Sequence, residues 1–193
     1  MSSELVRYLI IPGWQGSGPD HWQSHWHRTL PNATRVEQRD WLWPQLPDWV
    51  QALDREISID DRPVVLIAHS LGCITVAHWA AQASARSLLQ IRAALLVAPA
   101  DVERATCPLP LRNFAPIPRT ALPFPSLLIG SDNDRAASAE RAVELANVWG
   151  STAVILGGAG HINTDTGFHR WDEGFGFLYR LQHIAVQRRR RSA

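Results

Sequence analysis

The sequence predicts an α/β fold: a doubly wound, mostly parallel sheet of about six strands between layers of helices. Two observations point to it. Short apolar runs alternate with helical patterns along the chain, and several of the runs are apolar without interruption, as strands buried on both faces must be. The 193 residues, 46% of them hydrophobic, suffice for one domain, which we place at residues 1–187. The Arg-rich tail at residues 188–193 is expected to be disordered.

The strands and helices follow one another along the chain in alternation. The predicted strands are Leu5–Ile11, Thr34–Gln38, Pro63–Ala68, Ala93–Ala98, Ser126–Gly130 and Thr152–Leu156. The predicted helices are Pro19–Leu30, Pro47–Ile59, Leu71–Ala83, Ser138–Trp149 and Phe168–His183. Such alternation is typical of parallel strands joined by right-handed crossovers. The stretch Pro99–Pro125 holds seven prolines and predicts a long irregular excursion, too short to be a domain of its own.

Two of the helices carry further signals. Trp49, Leu53 and Ile57 share one helical face, and Pro47 suits the first turn of that helix. In the helix that precedes residue 150, Ser138 is expected to be the N-cap, and Gly150 is expected just past the end.

The composition excludes several classes of function. The 19 basic residues are all arginine, which rules out a P-loop lysine, a Schiff-base lysine and a Ser–Lys dyad. The net charge of +1 gives no reason to expect a nucleic-acid or membrane partner. Cys73 and Cys107 form no disulfide framework. The first residues lack the features of a signal peptide, so we expect a cytoplasmic location.

The most informative turn follows the strand Pro63–Ala68. Residues 68–72 (AHSLG) lead directly into a helix, which is the strand–turn–helix context of a nucleophile elbow, with Ala68 where the first glycine of G-x-S-x-G usually stands. The turn predicts Ser70 as a nucleophile. The alternative is an ordinary turn in which Ser70 only caps the helix.

A nucleophilic serine needs a base, and the base needs an orienting carboxylate. Residues 131–134 (SDND) and 157–161 (GGAGH) follow the last two strands in the order acid, then histidine. We therefore predict His161 as the base and Asp134 as the acid, with Asp132 as the alternative. His69 is expected to shape the elbow.

Two backbone N–H groups are expected to bind an oxyanion. One is that of Leu71, after the serine, and the other is that of Trp14, with Gln15 as the alternative, in the glycine-rich loop after the first strand. The spacing of that loop does not fit a dinucleotide fingerprint, and no cofactor is expected. The nearby histidine cluster (His21, His25 and His27) lacks a third metal ligand, so capping and packing are the favoured roles, and no metal is expected.

At this point the chain resembles a known family. Residues 12–23 (PGWQGSGPDHWQ), 68–72 (AHSLG) and 159–163 (AGHIN) are similar to the small serine hydrolases related to retinoblastoma-binding protein 9. The resemblance implies a minimal α/β-hydrolase fold without a large cap domain, and a catalytic triad of Ser70, Asp134 and His161. In the family the acid often precedes a proline, whereas Arg135 follows Asp134 here.

These features together predict a carboxylesterase-like serine hydrolase that cleaves a small ester, thioester or amide through an acyl-enzyme. The expected partner is a small-molecule acyl substrate, whose apolar group is placed against Trp14, Trp41, Trp43 and the Pro99–Pro125 stretch. Two alternatives stay open: a protein-interaction module with weak or no catalysis, and an acyltransferase that uses the same triad. The oligomeric state is not predicted.

Overall fold

The computed structural model describes the backbone of residues 5–192 and the side chains of residues 5–187. The tail at residues 188–193, for which the sequence predicts disorder, lies outside the described side chains. Within the described part, six strands form one sheet in the order β2-β1-β3-β4-β5-β6, and every neighbouring pair is parallel. The strands are β1 (Arg7–Ile11), β2 (Ala33–Arg35), β3 (Val64–His69), β4 (Ile91–Val97), β5 (Ser126–Ser131) and β6 (Thr152–Leu156). The predicted α/β fold is confirmed.

In the part of the chain that the structure describes, six α-helices connect and flank the strands. They are α1 (Trp22–Thr29), α2 (Leu46–Ile57), α3 (Leu71–Gln82), α4 (Ala85–Gln90), α5 (Ala139–Trp149) and α6 (Gly174–Ser192). The predicted ends of α5 are confirmed, since Ser138 Oγ accepts the N–H of Arg141 and Gly150 takes a left-handed conformation with φ of 67°. No helix in the described part of the chain is long and apolar enough to cross a membrane.

Helices cover both faces of the sheet because the strands alternate their buried side chains. In β3, Val64, Leu66 and Ala68 belong to one core, while Val65 and Ile67 belong to the other. Helices α2, α3 and α5 complete the first core, and α1 and α6 complete the second. All six β3 residues are buried, as the uninterrupted apolar run predicts.

Two helix predictions need correction. Helix α4 is absent from the prediction because it has only six residues, too few for a periodic pattern. The last helix begins at Gly174 and not at Phe168, because the chain turns sharply before it. Trp171 has φ of 47°, and its ring packs against those of Trp22 and Trp26. Trp171, inside the predicted helix, therefore belongs to the second core.

The Pro-rich excursion is a folded part of the domain. It contains a short 3₁₀ helix, Leu109–Phe114, and Phe114 is completely buried in the first core. The ring of His78 on α3 donates from Nε2 to the carbonyl of Phe114 at 2.8 Å. The excursion thus packs against α3, and no large cap domain is evident in the described residues.

Candidate active site

Ser70 lies in the sharp turn between β3 and α3. Its backbone has φ of 53° and ψ of −120°, and its N–H donates to the carbonyl of Val97 at 2.9 Å. A positive φ is uncommon for a residue with a side chain and is costly to maintain. Close packing holds the turn: a Cβ added to Gly72 would lie 2.4 Å from the carbonyl oxygen of Ile11. Only glycine lets α3 approach the end of β1 this closely.

The structure brings three of the predicted site residues into one hydrogen-bonded series. His161 Nε2 lies 2.9 Å from Ser70 Oγ, and His161 Nδ1 lies 2.8 Å and 3.0 Å from the two carboxylate oxygens of Asp134. With Nδ1 protonated toward Asp134, Nε2 is free to accept the serine proton. The side chain of Asp134 is 2% exposed, so water competes little for its carboxylate.

Asp132 has a different neighbour. Its Oδ1 accepts the backbone N–H of Gly158 at 2.7 Å, in the glycine-rich segment that precedes His161. Asp134, two residues further along the loop, is the aspartate that contacts the imidazole. The geometry favours Asp134 over Asp132 as the partner of His161.

The segment before His161 is held by three consecutive side chains, at the end of β5 and in the loop that follows it. The backbone N–H groups of residues 158–160 donate, in order, to Asp132 Oδ1 at 2.7 Å, Ser131 Oγ at 3.0 Å and Asn133 Oδ1 at 2.6 Å. Ser131 Oγ also donates to Asn133 Oδ1 at 2.8 Å. These bonds fix the backbone on which the imidazole stands, so Ser131 and Asn133 position His161. The sequence analysis missed both roles, since polar residues after a strand also suit an ordinary turn.

The glycine-rich loop after β1 lies against the serine. A Cβ added to Gly13 would lie 2.7 Å from Ser70 Cβ. The N–H of Gln15 donates to the carbonyl of Trp41 at 3.0 Å, so it is not available to an oxyanion. The N–H groups of Trp14 and Leu71 donate to no group of the described residues. The geometry therefore favours Trp14 over Gln15.

Gln23 holds this loop and was also missed from the sequence. It is completely buried on α1, accepts from Ser17 Oγ at 2.7 Å, and donates from Nε2 to the carbonyls of Ile11 and Ile67. A buried amide must find such partners, and these partners lie at the carboxyl ends of β1 and β3. Gln23 thus ties the loop to the two strands beside Ser70.

Two further histidines lie beside His161. The ring centroids of His69 and His161 are 5.0 Å apart, and so are those of His21 and His69. His69 Nε2 donates to the carbonyl of His161 at 2.9 Å, so His69 positions His161, and His21 Nδ1 accepts the N–H of Gln23 as the N-cap of α1. The described residues include no group of three potential ligands that could hold a metal ion.

Burial keeps both histidines uncharged at neutral pH. Desolvation is the main cause of a His21 pKa near 4, and the neighbouring His161 and Arg35 lower it further. Desolvation, followed by the proximity of His161 and His21, lowers the pKa of His69 well below its usual range. The imidazole of His161 therefore lies against neutral rings.

A polar pocket of about 400 Å³ adjoins His161, between the loop after β5 and the segment around residues 160–166. It is lined by Asn133, Arg135, Gly160, His161, Asn163, Asp165 and Thr166. Polar and charged side chains dominate this lining. The pocket is suited to the polar part of a small molecule.

The parallel sheet, the strained serine between strand and helix, and the hydrogen-bonded series at the carboxyl ends of the strands define an α/β-hydrolase. The family model described as serine hydrolase matches residues 8–180, and the chain belongs to this family. Among proteins with curated descriptions, no sequence matches this chain.

Solved structures of hydrolases share the fold. A protein described as a YdeN-like hydrolase from Pectobacterium atrosepticum is 35% identical, with a TM-score of 0.82, and the match covers 95% of this chain and 94% of that chain. Est1E from Butyrivibrio proteoclasticus, solved with ferulic acid, is 15% identical, with coverage of 95% and 89% and a TM-score of 0.66. YbtT, a type II thioesterase from the yersiniabactin pathway, is 18% identical, with coverage of 96% of both chains and a TM-score of 0.63. The last two similarities show the fold alone.

The close approach at Gly72 predicts a large difference between two glycine substitutions. Gly72→Ala should lower the free energy of unfolding by about 1–3 kcal/mol, because the new Cβ meets backbone oxygens that cannot move aside. Gly18→Ala is the matched control, since a Cβ at Gly18 meets nothing within 4 Å. Urea denaturation measures both. Equal stability of the two variants would contradict the packing described here.

The buried histidines predict acid sensitivity. Because the folded pKa of His21 is lowered from 6.5 to about 4, the unfolded state binds a proton between these pH values and the native state does not. The free energy of unfolding should therefore fall as the pH drops from 6.5 to 4. His21 alone accounts for a loss on the order of 3 kcal/mol.

His21→Asn retains an N-cap side chain and should flatten this pH dependence. His27→Asn, at an exposed position on the same helix, should keep the wild-type slope. Urea denaturation at a series of pH values measures the slopes. A wild-type slope in His21→Asn would show that His21 is not a neutral buried group.

Proposed function

We propose that this protein is a carboxylesterase-like serine hydrolase that cleaves a small ester, thioester or amide through an acyl-enzyme. Ser70 is the nucleophile, His161 the general base and Asp134 the residue that orients His161. The observation that carries the proposal is the hydrogen-bonded series from Ser70 Oγ through His161 to the buried carboxylate of Asp134. Membership of the serine hydrolase family favours a serine nucleophile. The sequence resemblance to the hydrolases related to retinoblastoma-binding protein 9 implies the same three residues.

The first half of the mechanism forms the acyl-enzyme. Ser70 Oγ attacks the substrate carbonyl carbon while His161 Nε2 takes the hydroxyl proton. The carboxylate of Asp134 accepts a hydrogen bond from Nδ1–H of His161 and stabilises the positive imidazolium. The carbonyl oxygen becomes an oxyanion, which the N–H groups of Leu71 and Trp14 bind. His161 then gives its proton to the leaving group as the bond to the carbonyl carbon breaks.

The second half releases the acyl group. A water molecule attacks the acyl carbon while His161 takes one of its protons, and the same two N–H groups bind the new oxyanion. The ester bond to Ser70 then breaks, and His161 returns the proton to Oγ. The free acid leaves, and the enzyme is restored.

The choice of an ester or thioester substrate draws on structural neighbours. Est1E was solved with ferulic acid, and YbtT is described as a type II thioesterase. Both contain this fold, and both descriptions concern compounds with an acyl group. The open polar pocket next to His161 offers room for a leaving group that the histidine would protonate.

Covalent labelling tests the nucleophile. A fluorophosphonate probe reacts with an activated serine hydroxyl, so wild-type protein should be labelled and Ser70→Ala should not. Ser58→Ala, at an exposed position at the end of α2, is the control and should be labelled as wild type is. Labelling is read by intact-protein mass spectrometry. An unlabelled wild type, or a labelled Ser70→Ala, would reject Ser70 as the nucleophile.

Two aspartate variants test the acid. Asp134→Asn should lower kcat for p-nitrophenyl acetate by up to ~10⁴-fold, because the amide no longer orients and stabilises the imidazolium. Asp132→Asn should cost less than ~10-fold, because an amide oxygen can still accept the N–H of Gly158. Steady-state kinetics gives both values. A larger loss in Asp132→Asn would reverse the assignment.

A further inference from the structure

The turn at residues 41–44 holds two large apolar side chains in solvent at the carboxyl edge of the sheet. Leu42 is 59% exposed and Trp43 is 57% exposed, although the domain has two cores in which such side chains can be buried. Water-exposed apolar surface is unfavourable, so an adjacent pair on one turn points to something that covers it.

Hydrogen bonds hold the backbone of this turn in place. Asp40 Oδ1 accepts the N–H groups of Leu42 at 2.8 Å and Trp43 at 2.9 Å, and these bonds lower the pKa of the Asp40 carboxyl. At the end of the turn, Asn113 Nδ2 donates to the carbonyl of Pro44 at 2.9 Å. The turn is therefore ordered before anything binds, which reduces the entropy lost on binding.

The turn also lies next to the nucleophile. Trp14 Nε1 donates to the carbonyl of Leu42 at 2.9 Å, and the N–H of Gln15 donates to the carbonyl of Trp41. The neighbouring Gly13 is so close to Ser70 that an added Cβ would lie 2.7 Å from Ser70 Cβ. The loop after β1 therefore contacts the turn through Trp14 and Gln15, and the serine through Gly13.

The two sides of Ser70 differ in character. On the His161 side the pocket is polar and contains Arg135 and Asp165. On the side of Trp14, Leu42 and Trp43 contribute exposed apolar surface. Because His161 protonates the leaving group, that group belongs on the polar side, and the acyl group is left with the apolar side.

We infer that Leu42 and Trp43 bind the apolar acyl chain of the substrate, which makes the substrate an ester or thioester of a hydrocarbon-chain acid. This inference rests on the proposed function, since the chain is placed by its attachment to Ser70. Two side chains are far short of the roughly 800 Å² per partner that a stable protein interface buries. A short hydrocarbon chain fits a patch of this size.

The test measures kcat/KM for p-nitrophenyl acetate, butyrate and hexanoate at monomeric substrate concentrations. Each methylene buried against the patch should raise kcat/KM by about two- to fourfold, so the hexanoate-to-acetate ratio of the wild type should be at least ~10. In the double variant Leu42→Ser/Trp43→Ser this ratio should fall at least ~5-fold. The ratio cancels any general loss of active enzyme.

Leu89→Ser is the matched control. Leu89 is 80% exposed on α4, directly before the amino end of β4 and so at the opposite edge of the sheet. This variant should keep the wild-type ratio. If the double variant also keeps it, or if Leu89→Ser lowers it equally, the inference is wrong.

Other occupants give other results, each of which overturns the inference. If Leu42 and Trp43 bind membranes instead, the double variant keeps the hexanoate-to-acetate ratio but sediments less than wild type with phosphatidylcholine vesicles. If they mediate self-association, the double variant keeps the ratio but differs from wild type in mass in analytical ultracentrifugation. Failure of the proposed function is separately visible: the fluorophosphonate probe would not label wild-type Ser70. Labelling with no dependence on chain length would reject the acyl site alone.

Discussion

The site depends on how closely the backbone packs around Ser70. The carbonyl oxygens of Ile11 and Pro12 lie where a Cβ of Gly72 would stand, and Gly13 approaches the serine from the other side. This contact joins the end of β1, the turn after β3 and the start of α3. The positive φ of Ser70 is maintained because all three segments are fixed by the buried sheet. A flexible turn with the same residues would not hold the hydroxyl in line with His161.

The histidine is fixed by a different means. The glycine-rich segment before His161 lies beyond the end of β6. Side chains of Ser131, the last residue of β5, and of the two residues that follow it accept the N–H groups of this segment. The contact between β5 and β6 thus extends past the paired backbone through side chains. Asp134 then bonds to the imidazole itself, so Asp134 and His161 are placed by one connected set of bonds.

Much of this arrangement was predictable from residue patterns, because apolar runs reveal buried strands and functional loops follow their carboxyl ends. The positions of Ser70, Asp134 and His161, each in a loop that follows a strand, could be predicted in this way. The sequence favoured Asp134 over Asp132, but both suit a turn, and only the folded loop shows which carboxylate contacts the ring. Gln23 was missed for a similar reason: its partners are carbonyls of β1 and β3 that are distant in the sequence. Helix α4 was missed because six residues carry no period.

The neutral state of His69 matters for the chemistry proposed at His161. His161 must become an imidazolium when it takes the proton of Ser70, and a positive charge 5.0 Å away would oppose that step. Burial keeps the pKa of His69 well below its usual range, so the ring stays uncharged while its Nε2–H still holds the carbonyl of His161. An arginine or lysine in this place would supply the same hydrogen bond but would repel the imidazolium. A buried neutral histidine thus positions His161 without opposing the charge that the proposed mechanism gives it, and Asp134, bonded to Nδ1, supplies the compensating negative charge.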